Sequence, residues 1–188
     1  MIKQIKPELL ISVGFLFILP PEVLKIPRFS INVHPTLLPK YRGKAAGYYI
    51  IRKGERETGV TVHHIDEEVD SGDIIFQERI SLDKFDTMKS IMRKTDLVEA
   101  DLLCRAVIHL KNNTAPRIKQ DESQATIFQQ NRTPEDSMID WNLPLRDLYN
   151  KIRACDSERF PAFFYVDGEK VCLQMWRQEK LEDEYDRI

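Results

Sequence analysis

The sequence is poor in cysteine, and its few cysteines are dispersed. Cys104, Cys155 and Cys172 are odd in number and form no C-x-x-C pair. This pattern argues against a disulfide framework or a zinc site, and it predicts a reducing, cytoplasmic compartment. Cys104 falls among the apolar positions of a long predicted helix, so we expect its side chain to pack in the core.

The sequence also lacks an excess of charge and a long apolar segment. Its 28 Lys and Arg residues nearly balance 30 Asp and Glu residues, giving a net charge of −2 and no basic tail, so a large nucleic-acid footprint is not expected. The apolar run at residues 9–19 is shorter than the ~20 residues that cross a bilayer. Pro20 and Pro21 follow it where a signal peptide has small residues, so we predict a strand buried on both faces, as in a parallel sheet, then a turn.

The periodicity of the remaining sequence predicts an α/β fold. Strands are expected at residues 9–13, 30–33, 59–65 and 74–80, a loop at 40–43, and helices at 22–25, 45–53 and 87–110. A polar, Gln-rich connection over residues 117–140 then precedes a short amphipathic helix near residues 145–152 and a hairpin of residues 162–166 and 170–176. The last residues, 182–188, are expected to fray. We therefore predict a domain at residues 1–116 and an extension at 117–188.

Polar residues at the end of the second predicted strand suggest a site. Asn32 and His34 alternate with Val33, so both side chains point to one side of the sheet while Val33 packs inward. Open α/β sheets bind ligands at the carboxyl ends of their strands. Taken singly, Asn32 fits a turn residue, and His34 fits a surface loop histidine.

Asp70 adds the group that completes an acyl-transfer site. Such a reaction needs donors for an oxyanion, which the Asn32 amide and a His34 ring N–H can supply. It also needs a base for the attacking amine, which Asp70 can supply directly or through water. Asp70 could also pair with His34 and favour its protonated form, or it could belong to a solvated acidic turn. A metal centre with His63 or His64 is disfavoured because adjacent strand residues face opposite sides, and no metal is predicted.

Three separated blocks give the site a family resemblance. Residues 32–43 fit N-x-H-P-x-L-L-P-x-Y-R-G, residues 58–63 fit T-G-V-T-x-H, and residues 66–77 fit D-x-x-x-D-x-G-x-I-x-x-Q. The chain resembles formyltransferases that use 10-formyltetrahydrofolate. This resemblance implies a partial Rossmann-like formyltransferase domain, a mostly parallel sheet with flanking helices, followed by a linker, a short helix and a C-terminal β-hairpin. It also implies that Asn32, His34 and Asp70 form the catalytic trio.

The resemblance extends to the ligand contacts. In the family, the backbone of the segment matched by residues 14–19 holds the folate pteridine. The predicted cofactor-binding residues are Phe15, Leu16, Phe17, Ile18 and Leu19, and the predicted co-substrate is 10-formyltetrahydrofolate. We expect Arg42, with Tyr41, to contact a phosphate or carboxylate of the substrate, because a guanidinium suits bidentate anion contacts. The alternative for Arg42 is a surface ion pair.

Motifs in residues 132–163 indicate which branch of the family the chain resembles. Residues 132–136, 139–141 and 152–154 resemble the methionyl-tRNA and nucleotide-sugar branches, and residues 160–163 match the sugar-modifying enzymes. The tRNA branch normally adds a basic β-barrel, whereas this chain is slightly acidic. We therefore predict a primary amine on a nucleotide-linked sugar as the acceptor, with methionyl-tRNA as the alternative.

The start of the sequence leaves a third possibility. Relatives usually have further strand–helix units before the strand at residues 9–13. An inactive folate- or nucleotide-binding remnant is therefore an alternative to an enzyme. A homodimer is possible, and no membrane partner is expected.

Overall fold

The computed structural model describes residues 2–155 and 158–175. Its strands are β1 (Leu9–Val13), β2 (Phe29–His34), β3 (Arg42–Gly43), β4 (Glu57–His64), β5 (Ile74–Ser81), β6 (Ile127–Phe128), β7 (Ala162–Val166) and β8 (Glu169–Leu173). Its α-helices are α1 (Ile2–Ile5), α2 (Pro21–Leu24), α3 (Ala46–Lys53), α4 (Met88–Lys111) and α5 (Leu145–Ala154). Short 3₁₀ turns occur at Glu122–Gln124 and Pro134–Ser137. In the described part of the chain, no helix is both long and apolar enough to span a membrane.

The main sheet has four strands in the order β1-β2-β4-β5. The predicted α/β class is confirmed, but the sheet is not mostly parallel. Within this four-stranded sheet, only β1 and β2 pair in parallel, and β4 runs antiparallel to both of its neighbours. A parallel neighbour would need the chain to return to the end of the sheet where β2 begins. The segment between β2 and β4 does not do so, and β4 therefore runs antiparallel to β2.

Strand β1 is an edge of the described sheet, which corrects the prediction that it is buried on both faces. Ile11 is 43% exposed and Val13 is 49% exposed. An apolar run indicates a strand that can be covered, whereas its actual burial depends on the neighbours that tertiary structure provides. Here β2 is its only partner within the described residues.

The two faces of the sheet have different roles. Ile31 and Val33 of β2 join Val60 and Val62 of β4 in a core against α4. The helix contributes buried side chains along one stripe, Leu102, Ala106 and Leu110. The prediction that Cys104 packs in this core is wrong, because the thiol lies on the exposed side of the helix. Residues 30, 32 and 34 point to the opposite face, as strand alternation requires.

A second core joins α3 and α5. Tyr48, Ile50 and Ile51 pack with Ala154, and the stacked rings of Tyr49 and Phe128 lie beside them. Gly54 ends α3 in the left-handed conformation, with φ of 68°, as its position predicts.

Two predictions for the connecting segments are corrected. Residues 40–43 are not only a loop, since β3 pairs in parallel with β6. The connection at 117–140 therefore contains ordered structure, and Ile118 also bridges to Ile74. Short strands of two residues carry too little periodicity to be recognised in a sequence. The division at residues 116 and 117 stays a prediction.

The C-terminal hairpin forms about Asp167 and Gly168, whose φ values of 49° and 86° both lie in the left-handed region, as a two-residue Asp-Gly turn requires. Phe163 is buried and its carbonyl accepts from the Ile139 N–H, so the hairpin docks on the rest of the chain. Residue 176 and the predicted fraying at 182–188 lie outside the described residues.

Candidate active site

The sheet brings the predicted polar residues together. Asn32 and His34 lie at the carboxyl end of β2, and the pairing of β2 with β4 sets Asn32 beside His63. Asp70 comes from the loop between β4 and β5, in a left-handed conformation with φ of 52°. This backbone region is uncommon for residues other than glycine, although Asp tolerates it better than most. The turn aims the Asp70 carboxylate back at the end of β2.

The distances within this cluster are short. The Asn32 Nδ2 atom lies 3.3 Å from Asp70 Oδ1 and 3.2 Å from His63 Nε2. The His34 Nδ1 atom lies 3.5 Å from Asp70 Oδ2, and His63 Nε2 lies 3.6 Å from Asp70 Oδ1. His34 and His63 are buried, whereas Asn32 and Asp70 are partly exposed. A ligand therefore reaches the amide and the carboxylate before either imidazole.

His63 is a member that the sequence analysis assigned no role. Its Nδ1 atom lies 2.7 Å from the His64 carbonyl oxygen, which can only accept, so Nδ1 carries the proton in the neutral ring. Its Nε2 atom then accepts a hydrogen bond from the Asn32 amide. His63 thus orients Asn32 with its nitrogen, rather than its oxygen, toward Asp70. The signal was available, since pairing of the two predicted strands sets the T-G-V-T-x-H histidine near Asn32.

The contacts of His34 bear on its predicted role as an oxyanion donor, which stays a prediction. Its Nε2 atom lies 2.9 Å from the Tyr41 carbonyl oxygen, so the N–H of the neutral ring is already used there. Burial lowers the pKa of His34 even though Asp70 raises it, so the ring is neutral at pH 7. A protonated pair with Asp70, one of the alternatives that the sequence left open, therefore does not form at that pH. Nδ1 instead presents a lone pair beside the carboxylate.

Asp70 is ionised across the ordinary pH range. Burial alone raises the pKa of Asp70, but the contact with His63, the positive charge that His34 gains in acid and the Gly43 N–H outweigh it and lower the pKa to about 2. The Gly43 N–H donates to Asp70 Oδ2 at 2.8 Å. A carboxylate with so low a pKa is a weak base on its own, because efficient general bases have pKa values near the working pH.

Gly43 connects the site to the β3–β6 pair. Its φ is +89°, and a Cβ at this position would lie 2.2 Å from the Phe128 carbonyl oxygen. Only glycine lets the chain pass this close to β6 and still present its N–H to Asp70. The Arg-Gly pair of the sequence motif therefore has a steric cause as well as a conformational one.

Arg42 and Tyr41, the predicted substrate contacts, already have partners within the chain, and their substrate role stays a prediction. Arg42 is 5% exposed, and its guanidinium already donates to Gln120 Oε1 and to both oxygens of Glu122, at 2.6–3.1 Å. The Tyr41 hydroxyl donates to Glu55, and its ring stacks on Phe128. Arg42 holds the segment after α4 against β3 through Gln120 and Glu122, and Tyr41 does so through Phe128. A basic loop residue is equally compatible with an internal clamp, so sequence alone could not separate the two roles.

The predicted folate segment is open. Phe15, Leu16, Phe17 and Ile18 are 54–77% exposed. The backbone of residues 15–19 makes no hydrogen bond within the described part of the chain. Free N–H and C=O groups beside apolar side chains fit a planar, hydrogen-bonding heterocycle such as a pteridine. The cofactor role of these residues stays a prediction.

The described residues include no group of three or more His, Cys, Asp or Glu side chains placed to hold a metal ion. His64, which faces away from His63 as the alternation predicts, is separated from the cluster by the sheet. The site is thus a set of hydrogen-bonding and proton-accepting groups on an open α/β sheet.

Comparison with known proteins identifies the class to which this sheet and site belong. Residues 1–107 match the family model described as Formyl transferase, and residues 131–186 match the model described as Formyl transferase, C-terminal domain. The first match covers more than half of the chain. The chain belongs to the formyl transferase family, which confirms the resemblance found in its sequence.

The relatives include a methionyl-tRNA formyltransferase, found by sequence, and a 4-N formyltransferase, found by structure. The chain is 38% identical over 172 residues to a methionyl-tRNA formyltransferase of Syntrophomonas wolfei, covering 90% of this chain and 54% of that protein. It therefore spans about half the length of that relative. Its fold matches a 4-N formyltransferase from Francisella tularensis with a TM-score of 0.81 and 25% identity, over 92% of this chain and 72% of that one.

A further structural relative contains ligands. The N-formyltransferase from Helicobacter canadensis, in complex with folinic acid and dTDP-3-aminofucose, matches with a TM-score of 0.68 and 28% identity. The match covers 77% of this chain and 53% of that one.

Proposed function

We propose that this chain transfers a formyl group from 10-formyltetrahydrofolate to a primary amine, and that the amine is carried by a nucleotide-linked sugar. The observation that carries the proposal is the convergence of Asn32, His34 and Asp70 at 3.3–3.5 Å, at the carboxyl end of β2. Family membership supports the reaction class. Neither metal nor covalent nucleophile is needed for attack of an amine on a formyl carbon.

The chain stabilises the developing oxyanion chiefly through Asn32. The Asn32 N–H groups now bond to His63 and Asp70 at 3.2 and 3.3 Å, which is long for such contacts. A formyl oxygen next to Nδ2 replaces one of these weak bonds with a charge-assisted one. One such donor contributes roughly 2.7–4 kcal/mol to the transition state.

The proton of the attacking amine passes to the His34–Asp70 pair. The lone pair on His34 Nδ1 accepts it, and the ionised Asp70, 3.5 Å away, stabilises the resulting imidazolium. Asp70 thus acts by its charge, with the imidazole or a water as the immediate acceptor. This division of roles follows from the low pKa of Asp70. The formyl group is supplied by 10-formyltetrahydrofolate, for which the open segment at residues 15–19 offers a binding surface. When the tetrahedral intermediate collapses, the bond between the formyl carbon and N10 breaks, and the His34 imidazolium returns its proton to N10, so that tetrahydrofolate leaves as a neutral amine.

The choice of acceptor depends on the charge of the chain and on its relatives. A nucleotide-linked amino sugar fits the slightly acidic chain and the relative with bound dTDP-3-aminofucose. Methionyl-tRNA is the second candidate, because the Syntrophomonas wolfei relative is 38% identical. Assays with an amino sugar nucleotide and with charged initiator tRNA separate the two. Binding of tRNA that weakens steeply with salt supports the second candidate, and no binding at low salt removes it.

The reaction class is tested by substitution at the cluster. Asn32→Ala or Asp70→Asn should lower turnover by about 10²-fold or more, because each removes a group that acts in the transition state. Glu67→Gln, an exposed change in the same loop as Asp70, is the control. Turnover in formylation of the amine, with circular dichroism to verify folding, is the measurement. Wild-type turnover in a variant would remove that residue from the mechanism.

An inactive remnant predicts a different result. It would bind a folate analogue in calorimetry yet formylate no amine under any condition. That outcome would support the predicted folate-binding role of residues 15–19 and reject enzymatic activity.

A further inference from the structure

A second recess lies on the α4 face of the sheet, on the side away from Asn32. Its volume is about 160 Å³, and Phe29, Leu110 and Ala115 give it an apolar wall. Arg28 and Arg117 line its rim, and His64 lines it from the sheet. Because the sheet separates this recess from the candidate active site, formyl transfer does not account for it.

The imidazole of His64 has a nitrogen without a partner. His64 is 7% exposed, and its buried Nε2 atom makes no hydrogen bond among the described residues. A buried polar atom left unpaired is unfavourable, and most such atoms in proteins are paired. Burial, with the nearby Arg117, lowers the pKa of His64 to about 4, so the ring is neutral at pH 7. In the tautomer with its proton on Nε2, the ring can donate to a ligand in the recess.

The two arginines on the rim keep donors available. Arg28 Nη2 donates to Asn113 Oδ1 at 2.6 Å, and its guanidinium lies 4.8 Å above the Phe29 ring. Arg117 Nε donates to Asp73 Oδ2 at 2.9 Å, while its Nη atoms make no hydrogen bond within the described residues.

Local charge favours an anion over a cation. Asp73 is shared between Arg117 and Lys119, whose Nζ lies 2.8 Å away, so one positive charge is left over. Glu8 lies 3.6 Å from Arg28, but both side chains are mostly exposed and screened. A ligand here meets a net positive rim.

We propose that this recess binds a small organic or inorganic anion, with a carboxylate or phosphate group between Arg28 and Arg117 and a hydrogen bond from His64. Guanidinium groups suit both kinds of oxyanion. The recess is smaller than the ~300–1,000 Å³ of sites for drug-sized ligands. Its occupant is therefore smaller than a nucleotide or a folate.

The test follows the His64 ring by ¹H–¹⁵N NMR of the full chain. Inorganic phosphate and benzoate are titrated separately, with sodium chloride at equal ionic strength as the reference. One of the two should shift the His64 ring signals saturably and raise the pKa of His64. Arg117→Gln should weaken that binding by about tenfold or more, since a charge-assisted hydrogen bond is worth about 1.5–3 kcal/mol.

Lys119→Gln is the matched control. Lys119 shares the partner Asp73 with Arg117 but does not line the recess, so its loss should change the affinity far less. If Arg117→Gln does not fold, Arg28→Gln, an exposed change on the same rim, replaces it. Saturation by phosphate alone or by benzoate alone supports the site and identifies the group it prefers. Shifts no larger than those with sodium chloride, or equal affinities in the arginine variant and Lys119→Gln, would overturn it.

Discussion

At the scale of single residues, Asp70 combines a left-handed backbone with a carboxylate that stays ionised. A non-glycine residue in a sparsely populated backbone region costs roughly 1–3 kcal/mol. The contacts of its carboxylate with the Gly43 N–H and the Asn32 amide offset this cost. Asp70 therefore links two loops to the end of β2.

The dependence of the free energy of unfolding on acid pH should reveal how much the Asp70 carboxylate contributes to stability. Its pKa falls from an ordinary 3.8 to about 2 on folding, so above pH 3.8 its native contacts contribute fully, by roughly 2 kcal/mol. This contribution is lost as the pH falls toward 2. Urea unfolding at several pH values should give a difference between wild type and Asp70→Asn that shrinks over this window. A difference that is constant with pH would contradict the assignment.

Gly43 and Gly168 form a matched pair for a second prediction. Their φ values are +89° and +86°, but a Cβ would clash with Phe128 at Gly43 and meet open space at Gly168. Gly168→Ala should cost only the left-handed strain, about 1 kcal/mol, whereas Gly43→Ala should cost more and also lower turnover. Thermal unfolding and formylation rates measure both effects. Equal destabilisation would show that the contact with β6 relaxes freely.

Residue identities predicted much of the candidate site, because Asn32 and His34 follow a strand with regular alternation. The role of His63 was missed, since its contact with Asn32 depends on how β2 and β4 pair. The hydrogen bond of His34 to the Tyr41 carbonyl was also invisible in the sequence. It depends on a backbone atom placed by the loop geometry.

At the scale of elements, the β3–β6 pair fastens the segment after α4 to the site loop. Arg42 provides most of this connection, through Gln120 and Glu122, and Gln120 in turn donates to the carbonyls of Asp70 and Gly72. Residues 120–122 therefore reach the loop that carries Asp70. The predicted polar connection is a structural support of the site.

This support predicts a large effect for a residue first expected to bind substrate. Arg42→Gln should destabilise the chain by about 1–2 kcal/mol, because the buried guanidinium loses several partly buried hydrogen bonds, of which those to Glu122 are weakened by solvent. Arg42→Lys should not restore them, since an ammonium lacks the planar fork. Arg79→Gln, which breaks an exposed pair with Glu57, should cost about 0–1 kcal/mol in the same denaturant titrations. Loss of substrate affinity with unchanged stability in Arg42→Gln would contradict this structural role and support the predicted substrate contact.

Helices and strands of the regular kind were predicted closely from periodicity. The predicted helix at residues 87–110 is observed as Met88–Lys111, and the predicted strand at 74–80 as Ile74–Ser81. The two-residue strands β3 and β6 were not predicted, because two residues carry too little periodicity and the two partners lie far apart in the sequence.

At the scale of the whole molecule, the exposed segment at residues 15–19 is the surface to which the cofactor prediction applies. Binding of folinic acid should slow amide hydrogen exchange there, because open backbone groups gain partners. The turn at Asp167 and Gly168, on the far hairpin, is the internal control and should exchange unchanged. Protection confined to other segments would reject the predicted cofactor contacts.

The sequence alone determined the α/β class, the family and the trio of polar residues, because alternation, helical spacing and three ordered motifs are local properties of a chain. Tertiary structure decided the direction of β4, the exposure of β1, the clamp made by Arg42 and the protonation states of His34 and Asp70. Each of these depends on which groups lie within a few ångströms after folding, and burial and electrostatic contact exist only once distant segments meet.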